Sequence, residues 1–392
     1  MARFCVPRDV YFGRDTLQTL ATLQGERALL VVGEGSLRRG GHVETAAACL
    51  QHANMRVRIL SGIGADASLR EVRNGVKAMR ESKPDWIVAM GGGTLLGAAK
   101  IMWVLYACPG ITLESLADAA LDDLDLRSIA RFAAIPTTAG TGMEAAGYAS
   151  IADYAAHKRY ALQHPRLTPD IAILDPTLLE DTQPAVAAYT GMDAISHALE
   201  ACVTPKRTPF SVPLATDALR VLFSSVFPAY KGDATARENA FYAQYLAGMA
   251  YSNSALGLTH ALAQAASVCL TEPRVPHGCA SAILMPQVIR FNAKADPTRY
   301  EEMARLLSIK QREGKGLVES MALQLGEISA QMRIPISFSR FGVGADAFDA
   351  SLPTMAEQAE QASGARENPR PASREQLTKI LRCAYMGKPV DF

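Results

Sequence analysis

The sequence contains no CxxC pair, although it carries seven cysteines (Cys5, Cys49, Cys108, Cys202, Cys269, Cys279 and Cys383). An odd, scattered set argues against a disulfide framework and against a thiolate metal site, so reduced thiols are expected. Charge of one sign is not in excess. Lys+Arg number 40 and Asp+Glu 39, a formal net charge of +1. A protein that neutralises phosphates along a nucleic acid needs a basic surplus or stripe, and the sequence has neither. Long hydrophobic runs are missing too: the nearly uncharged stretch 101–108 is too short to span a bilayer. Residues 1–8 hold no apolar core of a secretory leader. The expectation is a cytoplasmic protein without membrane or nucleic-acid partners. What is present is ordinary globular composition, 49% hydrophobic and 20% charged over 392 residues. That length accommodates two or three domains of about 150 residues.

Two patterns divide the chain. In the first half, short apolar runs at 28–32, 56–60, 86–90, 132–135 and 171–174 alternate with amphipathic stretches at 43–52 and 69–82. Val72, Val76 and Met79 share one face of the second stretch. Strands alternating with helices of this length predict βαβ units and a parallel sheet. After Asp175-Pro176 the pattern changes, and from residue 183 nearly every segment reads as helix, 216–227 and 238–251 among them. The division expected is an α/β domain at 1–182 and a helical domain at 183–392. The polar stretch 361–374 reads as a surface loop before a last helix at 374–385.

Two loops stand at strand ends. Gly91-Gly92-Gly93-Thr94 follows a strand and opens a helical run at 95–106. Backbone N–H groups at such a turn suit a phosphate, and glycine allows close approach. A tight turn without a ligand accounts for it equally well, and the pattern is neither GxGxxG nor a P-loop. Ile135-Pro-Thr-Thr-Ala-Gly-Thr-Gly142 follows another strand and presents the hydroxyls of Thr137, Thr138 and Thr141. Two such loops at strand C-termini favour a crevice ligand over two independent turns.

The histidines are few. Asp193 and His197 lie four apart, on one face of a helix. His260 opens a second helical segment, and His277 lies in Val275-Pro-His-Gly278. One carboxylate and three imidazoles suit a divalent ion such as Fe(II) or Zn(II). On spacing alone, an Asp–His hydrogen bond and isolated histidines account for the same residues.

Taken in order, these stretches resemble the iron-containing (group III) alcohol dehydrogenase family over nearly the full chain. The matching segments are Gly91-Gly-Gly-Thr-Leu-Leu-Gly-Ala-Ala-Lys100, Ile135-Pro-Thr-Thr-Ala-Gly-Thr-Gly-Met-Glu144, Thr190-Gly-Met-Asp-Ala-Ile-Ser-His-Ala-Leu-Glu200, Pro276-His-Gly278 and Asn368-Pro369-Arg370. The resemblance implies a dehydroquinate synthase-like architecture. A Rossmann-like, dinucleotide-binding α/β domain precedes an all-α metal-binding catalytic domain, with the active-site cleft between them. It implies a metal-dependent, NAD(P)-linked alcohol dehydrogenase or aldehyde reductase acting on a small alcohol or aldehyde, as a homodimer or larger homo-oligomer. Asp193, His197, His260 and His277 fall on the family's metal-ligand positions, with Fe(II) implied and Zn(II) chemically suitable. Gly91, Gly92, Gly93, Thr94, Thr137, Thr138 and Thr141 fall on its nicotinamide-cofactor loops. Tyr251 falls near the substrate pocket, where it reads equally as a half-buried helix residue.

The chain departs from the family's pattern in four places. Gly97 stands where Asp is usual. Gln264 stands where a second histidine, associated with proton transfer, often follows the third ligand; an amide hydrogen-bonds but does not titrate. The stretch from His260 to His277 is longer than usual. Gly33 occupies the place after the first strand where NAD-preferring members often carry Asp. Loss of that carboxylate, with Ser36, Arg38 and Arg39 following, favours NADP over NAD. Glu34 argues the other way. The rival readings are a glycerol dehydrogenase-like enzyme, a maleylacetate reductase-like enzyme and a catalytically silent metal- or nucleotide-binding homologue. The intact four-residue set argues against the first two.

Overall fold

The computed structural model describes residues 3–33, 40–64, 67–113, 115–116 and 125–392. They form two compact units, one of residues 1–138 and 142–182, the other of residues 139–141 and 183–392.

The first unit is built on six strands: β1 (Asp9–Phe12), β2 (Arg27–Gly33), β3 (Arg56–Ile63), β4 (Trp86–Gly91), β5 (Arg131–Pro136) and, after a hairpin, β8 (Ile171–Leu174). Their order is β1-β8-β5-β4-β2-β3, and every pairing is parallel. Side chains alternate across the sheet. Leu29, Val31, Ile87 and Ala89 enter one core with Trp103 and Phe132. Leu30, Val32, Val88 and Met90 enter the other with Leu20, Leu50 and Trp86. Burial on both faces is why these strands read as continuous apolar runs. Each fully buried Leu, Val or Ile contributes about 1.5–3 kcal/mol. The chain leaves β2 for β3 on one side, then crosses to β4 on the other. This reversal sets a switch point between β2 and β4, whose last residues are Gly33 and Gly91.

Two features of this unit are not evident from the pattern. Strand β1 is only four residues long, and none of its residues is fully buried. Strands β6 (Tyr148–Asp153) and β7 (Lys158–Gln163) form an antiparallel hairpin. The hairpin packs on the helix that follows the glycine turn, Gly93–Ala107, which is buried nearly all round. The contact runs through Gly97, where a Cβ would lie 2.9 Å from Ser150 O and 3.2 Å from Ser150 N. The place of the family's Asp is therefore taken up here by strand backbone. One turn on, the buried Lys100 Nζ donates to the carbonyls of Met143 (2.7 Å), Ala146 and Tyr148 (3.2 Å). Burial pulls this ammonium down to about 7, against the pull of Glu144.

The second unit is helical among the described residues. Its first helices are α4 (Pro184–Val203), α5 (Ser211–Tyr230), α6 (Ala234–Ser252), α7 (Leu258–Cys269) and α8 (His277–Ala293), numbered after His42–His52, Leu69–Ser82 and Gly93–Ala107 as α1 to α3. Helices Thr298–Leu306, Leu317–Gln331, Ala345–Gln361 and Arg374–Met386 follow. Pro184 opens α4 at a position that needs no N–H donor, and Asp233 caps α6 through Ala236 N–H at 2.7 Å. Helix α4 is buried continuously from Gly191 to Val203, Asp193, His197 and Glu200 included.

The stretch 361–374 is not simply a surface loop. It holds a short helix, Ser363–Arg366, and buries Gly364 and Asn368. A Cβ on Gly364 would lie 2.5 Å from Gly257 O, so this segment is packed against the start of α7. All seven cysteines are free. Among the described residues no helix is long and apolar enough to cross a membrane.

Candidate metal centre and cofactor loops

Three helices bring the chosen side chains together within the second unit. Helix α4 supplies Asp193 and His197, one turn apart. His260 is the third residue of α7, and His277 is the first of α8. Asp193 Oδ1 lies 3.5 Å from Nε2 of both His260 and His277, and Oδ2 lies 4.0 Å from His197 Nε2. The His197 and His260 rings stack at 4.3 Å, and His277 stands 5.6 Å from His260. Asp193, His197 and His260 are buried, whereas the His277 side chain is 29% exposed. Four-coordinate zinc with Zn–N near 2.0–2.1 Å separates its ligand atoms by about 3.4 Å. The spacing observed around Asp193 suits such a cage.

The electrostatics point the same way. Burial pushes the Asp193 carboxyl up, but the three histidines outweigh it and hold the group well below the usual carboxylate range. Burial, with His260 and His277 adding to it, lowers His197 to about 3 despite Asp193, so this imidazole is neutral. Burial lowers His260 as well, but Glu200 and Asp193 outweigh it and raise the group to about 9. Glu200, buried, is held low by His260 and by backbone N–H groups. The centre thus contains two buried carboxylates and attracts a cation, whether a proton or a metal ion. His260 Nε2 is buried with no hydrogen-bond partner. An orphaned imidazole nitrogen facing a carboxylate and two further imidazoles is what a metal site requires, and the donor set fits a divalent ion.

Supporting contacts fix these side chains. His197 Nδ1 lies 3.2 Å from Gly140 O; a carbonyl only accepts, so Nδ1 donates and the Nε2 lone pair turns toward Asp193. A Cβ on Gly140 would lie 2.7 Å from Thr190 O, so glycine permits this approach to α4. Ser281 Oγ donates to Asp193 Oδ1 at 2.8 Å. Glu200 Oε2 lies 2.7 Å from His260 Nδ1. Neither Ser281 nor Glu200 is singled out by the sequence reading. Spacing carries a signal for both, since Glu200 follows His197 by three residues and Ser281 follows His277 by four.

Tyr251 is buried rather than half-buried. Its hydroxyl donates to Thr141 O at 2.8 Å, and its ring stacks on His197 at 4.8 Å. Gln264 lies on α7 one turn beyond His260.

The remaining loop residues divide between the units. Strands β4 and β5 are parallel neighbours, with Gly91 opposite Pro136, so the loops after them are adjacent. Thr137 N–H donates to Gly91 O at 3.1 Å, and a Cβ on Gly92 would lie 3.5 Å from the Thr138 methyl. Gly92 precedes the first turn of α3, where Gly93 and Thr94 leave their N–H groups unused by the helix. Thr141 belongs to the second unit, beside Tyr251. Ser36, with Glu34, Arg38 and Arg39, lies outside the described residues.

Comparison with known proteins accounts for both units. A profile of iron-containing alcohol dehydrogenases matches residues 7–176, and that of the family's C-terminal part matches residues 187–385. The NADPH-dependent butanol dehydrogenase of Clostridium saccharobutylicum is 38% identical over 392 residues, all of both chains. The bifunctional aldehyde-alcohol dehydrogenase of Escherichia coli K12 is 32% identical over 98% of this chain, which spans 46% of that longer protein. The crystal structure of an iron-containing alcohol dehydrogenase from Thermococcus thioreducens superposes with a TM-score of 0.86 at 27% identity, covering 98% of this chain and 100% of that one.

Proposed function

The chain belongs to the iron-containing alcohol dehydrogenase family, and on that premise we propose that Asp193, His197, His260 and His277 hold the divalent metal of an NAD(P)-linked alcohol dehydrogenase. The observation that carries the assignment is the convergence of three imidazole Nε2 atoms on one buried carboxylate, at 3.5, 3.5 and 4.0 Å. We assign the metal as Fe(II), with Zn(II) compatible with the same donors. Residues 1–182 then bind the dinucleotide, and residues 183–392 carry the metal and the reacting oxygen.

When bound, the metal supplies Lewis acidity toward an alcohol or carbonyl oxygen. The nicotinamide supplies or accepts the hydride. The chain's own residues do the rest. The unused N–H groups of Gly93 and Thr94 receive the cofactor's pyrophosphate at the start of α3. The Thr137 and Thr138 hydroxyls, beside the glycine turn, hydrogen-bond the cofactor. His197 presents a lone pair from a fixed ring, and His260 would do so from Nε2 once the ion displaced the proton there. Thr141 and Tyr251 sit beside His197, so Tyr251 borders the place where substrate oxygen is held. Gln264 orients a hydrogen bond without taking up a proton, so the proton leaves by another group or by solvent.

NADPH is the proposed cofactor. Gly33 ends β2 without a carboxylate to repel a 2′-phosphate, and a relative of equal length is named for NADPH. A short alcohol or its aldehyde is the proposed substrate. The free cysteines fit a reducing compartment, and we place the enzyme in the cytoplasm as a homo-oligomer.

The test is metal analysis and cofactor oxidation on one anaerobically purified sample. About one ion per chain, with aldehyde-dependent oxidation of NADPH faster than of NADH, supports the proposal. Replacement of His197 by Ala removes the metal and the activity while the fold survives. Equal activity in metal-free His197→Ala protein overturns it.

A further inference from the structure

We propose that Glu200 is a positioning residue for the metal centre: it fixes both the tautomer and the backbone position of His260, so that Nε2 presents its lone pair to the ion. The inference rests on the metal assignment above.

Glu200 stands two turns along α4 from Asp193 and is 5% exposed. An ionised carboxylate only accepts hydrogen bonds, and this one faces three donors. Oε2 takes the Gly257 N–H at 2.8 Å and His260 Nδ1 at 2.7 Å, and Oε1 takes the Thr259 N–H at 2.7 Å. At that distance from an acceptor-only oxygen, Nδ1 must carry a hydrogen. A neutral imidazole then has its lone pair on Nε2. That nitrogen is a buried atom without a hydrogen-bond partner, 3.5 Å from Asp193 Oδ1. The opposite tautomer would set a nitrogen lone pair against a carboxylate oxygen and turn an N–H toward the ion.

The same carboxylate places the main chain. The first N–H groups of a helix have no partner within it. At α7 they are met by side chains from elsewhere: Glu200 takes Gly257 and Thr259, and Asn368 Oδ1 takes Leu258 at 3.2 Å. Gly257 supplies no cap of its own, and a Cβ there would lie 3.0 Å from both Glu200 Oε1 and Asn368 Oδ1. Glu200 therefore shares the helix start with Asn368 and alone sets the ring orientation of His260. A carboxylate behind a ligating imidazole also makes its other nitrogen a stronger donor to metal.

A residue that only caps the helix would stabilise the fold without governing metal affinity, and Asn368 provides that comparison. The full chain is stripped of metal and titrated with Zn(II) against a chelating dye, as wild type and as Glu200→Gln, Glu200→Asp, Asn368→Ala and His197→Ala. Melting temperatures are measured on the same metal-free samples. The Glu200→Gln amide turns an N–H toward a donor or toward the ring, and its zinc dissociation constant is expected to rise about 10–100-fold. Glu200→Asp restores part of the affinity. Asn368→Ala lowers the melting temperature but stays within about threefold of wild type in affinity. Zinc binding by Glu200→Gln within that same margin, while His197→Ala loses the metal, overturns the inference and leaves the metal reading standing. Equal weakening by Glu200→Gln and Asn368→Ala at equal loss of melting temperature reduces Glu200 to a cap and also overturns it. Equal zinc binding by wild type and His197→Ala overturns the metal reading, and this inference with it. Should Glu200→Gln fail to fold, the wild type decides: nitrogen-15 spectra of histidine-labelled, zinc-loaded protein are expected to show His260 protonated at Nδ1 and metal-bound at Nε2. The reverse assignment overturns the proposal.

Discussion

His197 and His260 turn their Nδ1 atoms away from Asp193, one toward a backbone carbonyl and the other toward a carboxylate. Asp193 Oδ1 also accepts a hydrogen bond from Ser281 Oγ, so the geometry depends on residues outside the proposed ligand set. Ser281→Ala removes that bond without altering charge, and zinc affinity is expected to fall up to about tenfold while the melting temperature moves little. Chelator competition measures the first and calorimetry the second. At this scale the sequence was legible only in part. The i, i+4 spacing of Asp193 and His197 showed a shared helix face, but nothing local connected them to His260 or His277. Only the family resemblance grouped the four. Glu200 was readable from its spacing to His197. Asn368 was not, because its burial depends on bonds to Leu258 and Asn292, far off in the chain.

Helix α3 and the hairpin packed on it show how one departure from the family pattern changes an element. Gly97 admits the Ser150 backbone, so Gly97→Ala overpacks the contact. The expected cost is about 1–3 kcal/mol, read as a lower urea midpoint. Gly97→Asp adds an unpaired charge and loses more. Lys100, on the same helix, makes stability depend on pH. Its folded pKa is depressed to about 7 by burial, so the unfolded chain holds the extra proton between that value and the ordinary 10.5. Stability is therefore gained as pH rises from about 7 toward 10.5, is lost as pH falls back through the same window, and levels off below about 7, where both states hold the proton. Relative to Lys100→Met, the wild type is expected to gain in urea midpoint between pH 7 and pH 9; a flat difference contradicts this sign. The central strands were legible because they are apolar on both faces. Strand β1 was not, being short and half exposed, and the 361–374 stretch misled because one polar residue in it, Asn368, is buried and caps α7.

At the scale of the whole molecule, the two units divide the proposed tasks, and ligands should act on them separately. Saturating zinc at one hundred times its dissociation constant contributes about 2.7 kcal/mol to the stability of whatever it binds. Hydrogen exchange is expected to show that protection within 139–141 and 183–392. NADPH is expected to slow exchange around 91–94 and 137–138. Zinc-dependent protection confined to the first unit contradicts the division.

Residues 139–141 belong to the second unit although first-unit sequence lies on both sides of them. They supply the carbonyl that orients His197 and the one that receives the Tyr251 hydroxyl. The polypeptide therefore changes allegiance three times, and no single cleavage separates the units intact. A gene fragment beginning at codon 183 would encode every helix of the histidine cluster yet omit both acceptors. Such a fragment is expected to be deficient in zinc until a peptide carrying 139–141 is supplied in trans. Modularity in this chain is a property of its contacts and not of its reading frame.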